Sequence, residues 1–150
     1  MRHNIFAFLL ILAFVFACKN KSRKLTPISS NNENISLLDT LTLRLNNGEK
    51  WIANSDTQIG IIKMDSIINA FKSDGNSDYL VLGKELSIQT GHIIKSCNMT
   101  GEAHDQLHIV LVPMLDEISI LKESEDAAES KKALVELESL IEAYFNHFEN

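Results

Sequence analysis

His104 and His108 stand four residues apart. On a helix that spacing stacks two imidazoles on one face, one turn apart, where both can grip a single metal ion. Asp105 lies three residues before His108, a carboxylate–imidazole spacing used by metal sites in helical bundles. Upstream, His92 precedes Cys97 by little more than one turn, and Met99 and Glu102 follow. Imidazole, thiolate and thioether in one stretch suit copper or zinc better than magnesium or calcium, which require several converging oxygens. The candidate ligands are His92, Cys97, Met99, His104, Asp105 and His108. The competing reading makes these histidines surface residues, or core residues with satisfied hydrogen bonds.

Other chemistries lack their motifs. There is no H-E-x-x-H, no C-x-x-C-H, no G-x-S-x-G and no phosphate loop. Zincin, covalent haem, serine hydrolase and P-loop nucleotide chemistry are thereby disfavoured. Non-covalent haem held by His and Met inside a bundle is a third reading, with no axial pair standing out. Cys97 beside His92 or His104 is a conceivable thiol nucleophile, but nothing in the sequence orients the base. No catalytic residue is assigned, and the expectation is a protein that is not an enzyme.

Four amphipathic segments must position these residues. Helix one is predicted over about 56–72, with Ile61, Met64, Ile68 and Phe71 at spacings of three and four. Ser73-Asp74-Gly75-Asn76 ends it with turn chemistry. Helix two runs over about 78–97 on a seam of Tyr79, Leu82, Leu86 and Ile93. Asn98 to Gly101 breaks it, and Thr100 is placed to cap the next helix. Helix three spans about 101–122, with Pro113 inside it as an expected kink or a carbonyl left free. An acidic connection, Glu123 to Glu129, leads to helix four, which ends near 148 on a seam of Leu134, Leu137, Ile141, Tyr144 and Phe148. Short loops between such helices predict an all-α, antiparallel, up-down-up-down four-helix bundle over 56–150. That topology gathers His92, His104, His108 and His147 at one end, with Cys97 and Met99.

Ahead of the bundle, residues 37–55 read as a short β-hairpin or extended segment. Leu41, Leu43 and Leu45 alternate with polar residues, Asn46-Asn47-Gly48 is a turn signal, and Glu49 to Ala53 can return. Trp51 is placed to cap the histidine-bearing end.

The chain has 150 residues, room for one domain plus its leader. Residues 1–17 read as a removable signal: a weakly basic start, then thirteen residues, Ile5 to Ala17, without a polar group. Thirteen is short of the ~20 that span a bilayer. Val15-Phe16-Ala17-Cys18 resembles the lipobox of bacterial lipoproteins. That resemblance implies acylation of Cys18, an attachment to the membrane through lipid, and a periplasm-facing outer-membrane location. A plain signal peptide or an uncleaved anchor is the alternative. Residues 18–36 form a polar linker whose Lys19, Lys21, Arg23 and Lys24 are basic; they suit anionic headgroups or serve as a solvated spacer. With Cys18 carrying lipid, Cys97 becomes an unpaired thiol.

The stretch Cys97-Asn98-Met99-Thr100-Gly101-Glu102-Ala103-His104-Asp105-Gln106-Leu107-His108, with Asn46 to Trp51, resembles a family of small uncharacterised bacterial lipoproteins. The resemblance covers roughly 40–150. It implies an all-helical periplasmic domain and carries over no catalytic residues.

Net charge is −6, which argues against nucleic acid as a partner. The charge is uneven: residues 101–150 hold twelve acids and three bases, a difference of −9. Solvated outer helix faces explain this; an acidic surface that recruits cations or a basic protein partner is the alternative.

Overall fold

The computed structural model describes residues 37–150. The leader, the lipobox cysteine Cys18 and the linker all lie outside the described residues. Helices carry most of the described chain: α1 (Ser55–Ser73), α2 (Tyr79–Ser96), α3 (Gly101–Glu123) and α4 (Ala127–His147). Local chemistry sets their starts. The Asp78 carboxylate accepts the Val81 N–H at 3.0 Å, and Asp126 accepts that of Ala128 at 2.8 Å; each satisfies a donor that the first helical turn leaves without a partner. Thr100 does precede α3, but its hydroxyl makes no capping bond. Gly101 makes that turn instead, at φ +65°, a left-handed conformation open to glycine at no steric cost. Pro113 lies within α3, where it has no N–H to offer the Ile109 carbonyl.

The apolar seams close on a shared core. Ile61, Met64 and Ile68 of α1, Leu82 and Leu86 of α2 and Leu137 of α4 are all at most 1% exposed. Burial of one such side chain is worth about 1.5–3 kcal/mol. Helices adjacent in sequence pack most heavily on one another, while α1 touches α4 more lightly. Gly60, early in α1, lies against Ile93, late in α2. Gly83, early in α2, lies against Leu121 and Lys122, late in α3. The Tyr144 hydroxyl, late in α4, donates to Gln58 Oε1 at 2.8 Å, early in α1. Lys72 pairs with Glu138 across the same two helices.

The segment before α1 combines a tight turn with extended chain rather than a hairpin of two paired strands. Leu37–Thr40 is a single 3-10 turn, and residues 41–45 form no strand. The tight turn does form: Asn46 and Glu49 exchange backbone hydrogen bonds at 2.8 and 3.0 Å, with Asn47 at φ 53° and Gly48 at φ 94°, the handedness that hairpin turns favour. Beyond it the two arms take other partners. The Arg44 N–H donates to Gln106 Oε1 of α3 at 2.9 Å. The returning arm forms β1 (Trp51–Ile52), which pairs in parallel with β2 (Phe148–Glu149) after α4, in the register Trp51 to Phe148. The Trp51 indole N–H donates back to the Arg44 carbonyl at 2.7 Å. The turn chemistry is local, but the hydrogen-bonding groups beyond it are satisfied by distant segments. Among the described residues, no helix is long and apolar enough to cross a membrane.

Candidate metal centre

Cys97 closes α2 in an extended conformation, φ −66° and ψ 120°. Three residues of loop then bring the chain to α3, so His104 belongs to the first turn of that helix. Helical side chains lean toward the N-terminus, which carries the His104 ring back over the loop. Its Nδ1 lies 3.7 Å from Cys97 Sγ. Two proton arrangements satisfy this contact: a thiol that donates to Nδ1, or a protonated Nδ1 that donates to a thiolate. Both residues are half-buried. His108 follows one turn along α3, its ring centroid 4.3 Å from that of His104 and tilted by 52°.

The remaining sequence candidates scatter. His92 and Asp105 are exposed, as is His108. Met99 packs against the core edge, half-buried, in the same loop as Cys97. The His147 ring donates from Nδ1 to the Ala143 carbonyl at 2.7 Å within its own helix. Among the described residues, no set of three His, Cys, Asp or Glu side chains converges closely enough to hold one metal ion. The expectation of several converging ligands therefore reduces to a Cys97–His104 pair with His108 tilted against His104 one turn along.

Tyr144, expected on the apolar seam of the last helix, and its partner Gln58 complete the surroundings. Tyr144 is fully buried, and burial, with the Cys97 charge as the second cause, pushes its phenol well above the ordinary value. It therefore stays protonated and donates to Gln58. A seam tyrosine needs a partner for its hydroxyl once buried, so the periodicity that buries Tyr144 also called for one. Its ring stacks on Phe148 at 4.9 Å and 8°, which ties the pair's surroundings to the β1–β2 closure. On the outside, Arg44 pairs with Glu102 of α3.

A second polar feature lies along α3 and α4, a groove lined by Leu37, Thr40, Glu117, Ile120, Glu129 and Glu136. The Leu37 N–H donates to Glu136 Oε2 at 3.3 Å. Burial, then the charges of Glu136 and Asp116, raise the Glu117 carboxyl above its ordinary value of 4.5, against a smaller opposing effect of Lys132. Folded Glu117 thus holds its proton more tightly than unfolded Glu117. Its ionisation costs folding free energy above the ordinary value, and the cost vanishes below it. Glu117→Gln should raise the melting temperature at pH 7 and change it little near about pH 3. Thermal melts at both pH values check this; a loss at pH 7, or equal gains at both, contradicts it.

No protein-family model, curated protein or solved structure matches the chain.

Proposed function

We propose that this chain is a lipid-anchored, periplasm-facing bundle of four helices, running up-down-up-down, that holds copper or zinc at one end for storage, delivery or sensing. The observation that carries the metal reading is the contact of Cys97 Sγ with His104 Nδ1 at 3.7 Å. Sulfur and nitrogen bound to one zinc at about 2.3 and 2.0–2.1 Å, at a tetrahedral angle, stand about 3.6 Å apart. The pair needs little rearrangement to grip an ion. His108 and Met99 lie close enough in the chain to assist a softer ion such as copper(I). The antiparallel reading is supported by the contacts of Gly60 with Ile93 and of Gly83 with Leu121. The lipobox supports the anchor.

The test is metal retention. The full chain, purified in detergent with reductant, is loaded with copper(I) or zinc, dialysed and submitted to elemental analysis. Near-stoichiometric or half-stoichiometric retention is expected. Cys97→Ser and His104→Ala each weaken binding by more than about 100-fold, since loss of a supporting contact alone costs 10–100-fold. Both side chains are half-buried, so helicity by circular dichroism survives the changes. Trace metal after loading, or retention that neither variant alters, overturns the proposal.

A non-catalytic adaptor without metal is the second reading. Exposed Ile59 and Ile62 on α1 and Val81 and Ile88 on α2 favour it, because apolar side chains on outward helix faces suit a protein partner.

A further inference from the structure

The Cys97–His104 pair is half of a coordination sphere. With metal–sulfur at about 2.3 Å and metal–nitrogen at about 2.05 Å, donors 3.7 Å apart subtend about 115° at a shared ion. A linear two-ligand site would hold the same donors about 4.3 Å apart. The angle is that of a three- or four-coordinate centre, and structural zinc sites are four-coordinate with Cys and His ligands. Only two such ligands converge among the described residues. The pair is also at the surface: Cys97 and His104 are half-buried, and His108 is exposed.

Building on the metal reading above, we propose that a second copy of this chain completes the site, so that two Cys97–His104 pairs hold one zinc as a tetrahedral Cys2His2 centre. Two-fold symmetry supplies this ligand set without any further residue, because an isologous interface presents the same patch from each side. The ion then lies on the symmetry axis. Apolar surface flanks the pair where the second copy must approach. Ile94, one turn before Cys97 on α2, is 54% exposed, and Ile52 is 64% exposed. Ile52 belongs to this end because Asn54, two residues on, donates its amide to the Ser96 carbonyl at 3.2 Å.

The experiment is sedimentation velocity on the full chain in detergent with reductant present, using zinc chloride alone as the probe. Zinc is expected to convert monomer to dimer at about 0.5 ion per chain, the count for one tetrahedral site per pair. Chelator reverses the change. Cobalt(II) in place of zinc gives near-ultraviolet thiolate-to-metal absorption. Cys97→Ser and His104→Ala weaken zinc-dependent association by more than about 100-fold. Cys97→His keeps a ligand and restores dimer formation without the thiolate band. One zinc per chain with no dimer overturns the sharing and leaves the metal reading standing. Failure to bind zinc, copper(I) or cobalt(II) overturns both. A dimer that resists chelator and yields only to stronger reductant is a disulfide and overturns the sharing.

Discussion

Phe148→Ala should lower stability by about 3–5 kcal/mol, the cost of truncating a buried aromatic and leaving a cavity. For a domain of this size that is a fall of more than about 10 °C in melting temperature. Phe148, just beyond α4, is 1% exposed. Its ring stacks on Tyr144, and its backbone pairs with Trp51 in the parallel β1–β2 closure. The substitution removes the ring that covers Tyr144 and loosens the strand that holds Trp51. Trp51, the one tryptophan of the chain, is 8% exposed, so its emission reports the closure directly. Denaturant melts should show the stability loss together with a red-shifted native emission. Phe145→Ala is the control: Phe145 meets Tyr144 only edge-on at 5.7 Å and is half-buried, so its cost should be smaller. A Phe148→Ala loss no larger than that of Phe145→Ala, with unchanged emission, would falsify this account of the closure.

The second large effect is a contrast within one helix. Gly83→Ala and Gly91→Ala are the same substitution in α2, and by helix propensity each should stabilise by about 1 kcal/mol. The surroundings reverse the sign at one of them. A Cβ on Gly83 would meet Lys122 Cγ at 2.8 Å, the Lys122 backbone nitrogen at 2.9 Å and Leu121 Cβ at 3.0 Å. The backbone nitrogen cannot swing aside, so α2 and α3 must separate. Overpacking of this kind costs typically 1–3 kcal/mol. A Cβ on Gly91 meets nothing within 4 Å. Gly83→Ala should therefore destabilise by about 1–2 kcal/mol net, while Gly91→Ala stabilises by up to about 1 kcal/mol. Equilibrium denaturation of the pair decides it, and two shifts of the same sign would contradict the helix contact. Gly60→Ala belongs with Gly83→Ala, since its Cβ would fall 2.3 Å from Ile93 Cγ1.

The candidate site was legible in part. The i, i+4 spacing of His104 and His108 brings their rings together as expected, because helical geometry alone sets that distance. The pairing that matters more joins Cys97 to His104 across a loop. Residue type marks both as ligands, but their contact depends on how the chain turns through Gly101 at φ +65°, and a loop's path is not readable from periodicity. His92 is close to Cys97 in sequence, yet it is exposed: five residues are nearly one and a half helical turns, which sets it on another face. Tyr144 and Gln58 were missed as a pair because they are 86 residues apart.

The amino-acid sequence by itself marked out the four helices, since apolar spacing and turn residues act over a few neighbouring positions; their ends were less legible, because Thr100 makes no capping bond and α4 begins at Ala127, inside the expected acidic connection. Asp78 and Asp126 cap through residues two or three positions away, and the Asn47-Gly48 turn is equally local. Tertiary structure decided what those local signals leave open. The Trp51 backbone pairs with Phe148 after α4 rather than across the turn, where its indole alone reaches Arg44, and Gly83 became a helix-contact residue while Gly91 faces open space. The physical reason is the same in both cases. A backbone donor or a gap in a helix surface is satisfied by whatever packing brings to it, and packing is a property of the whole core.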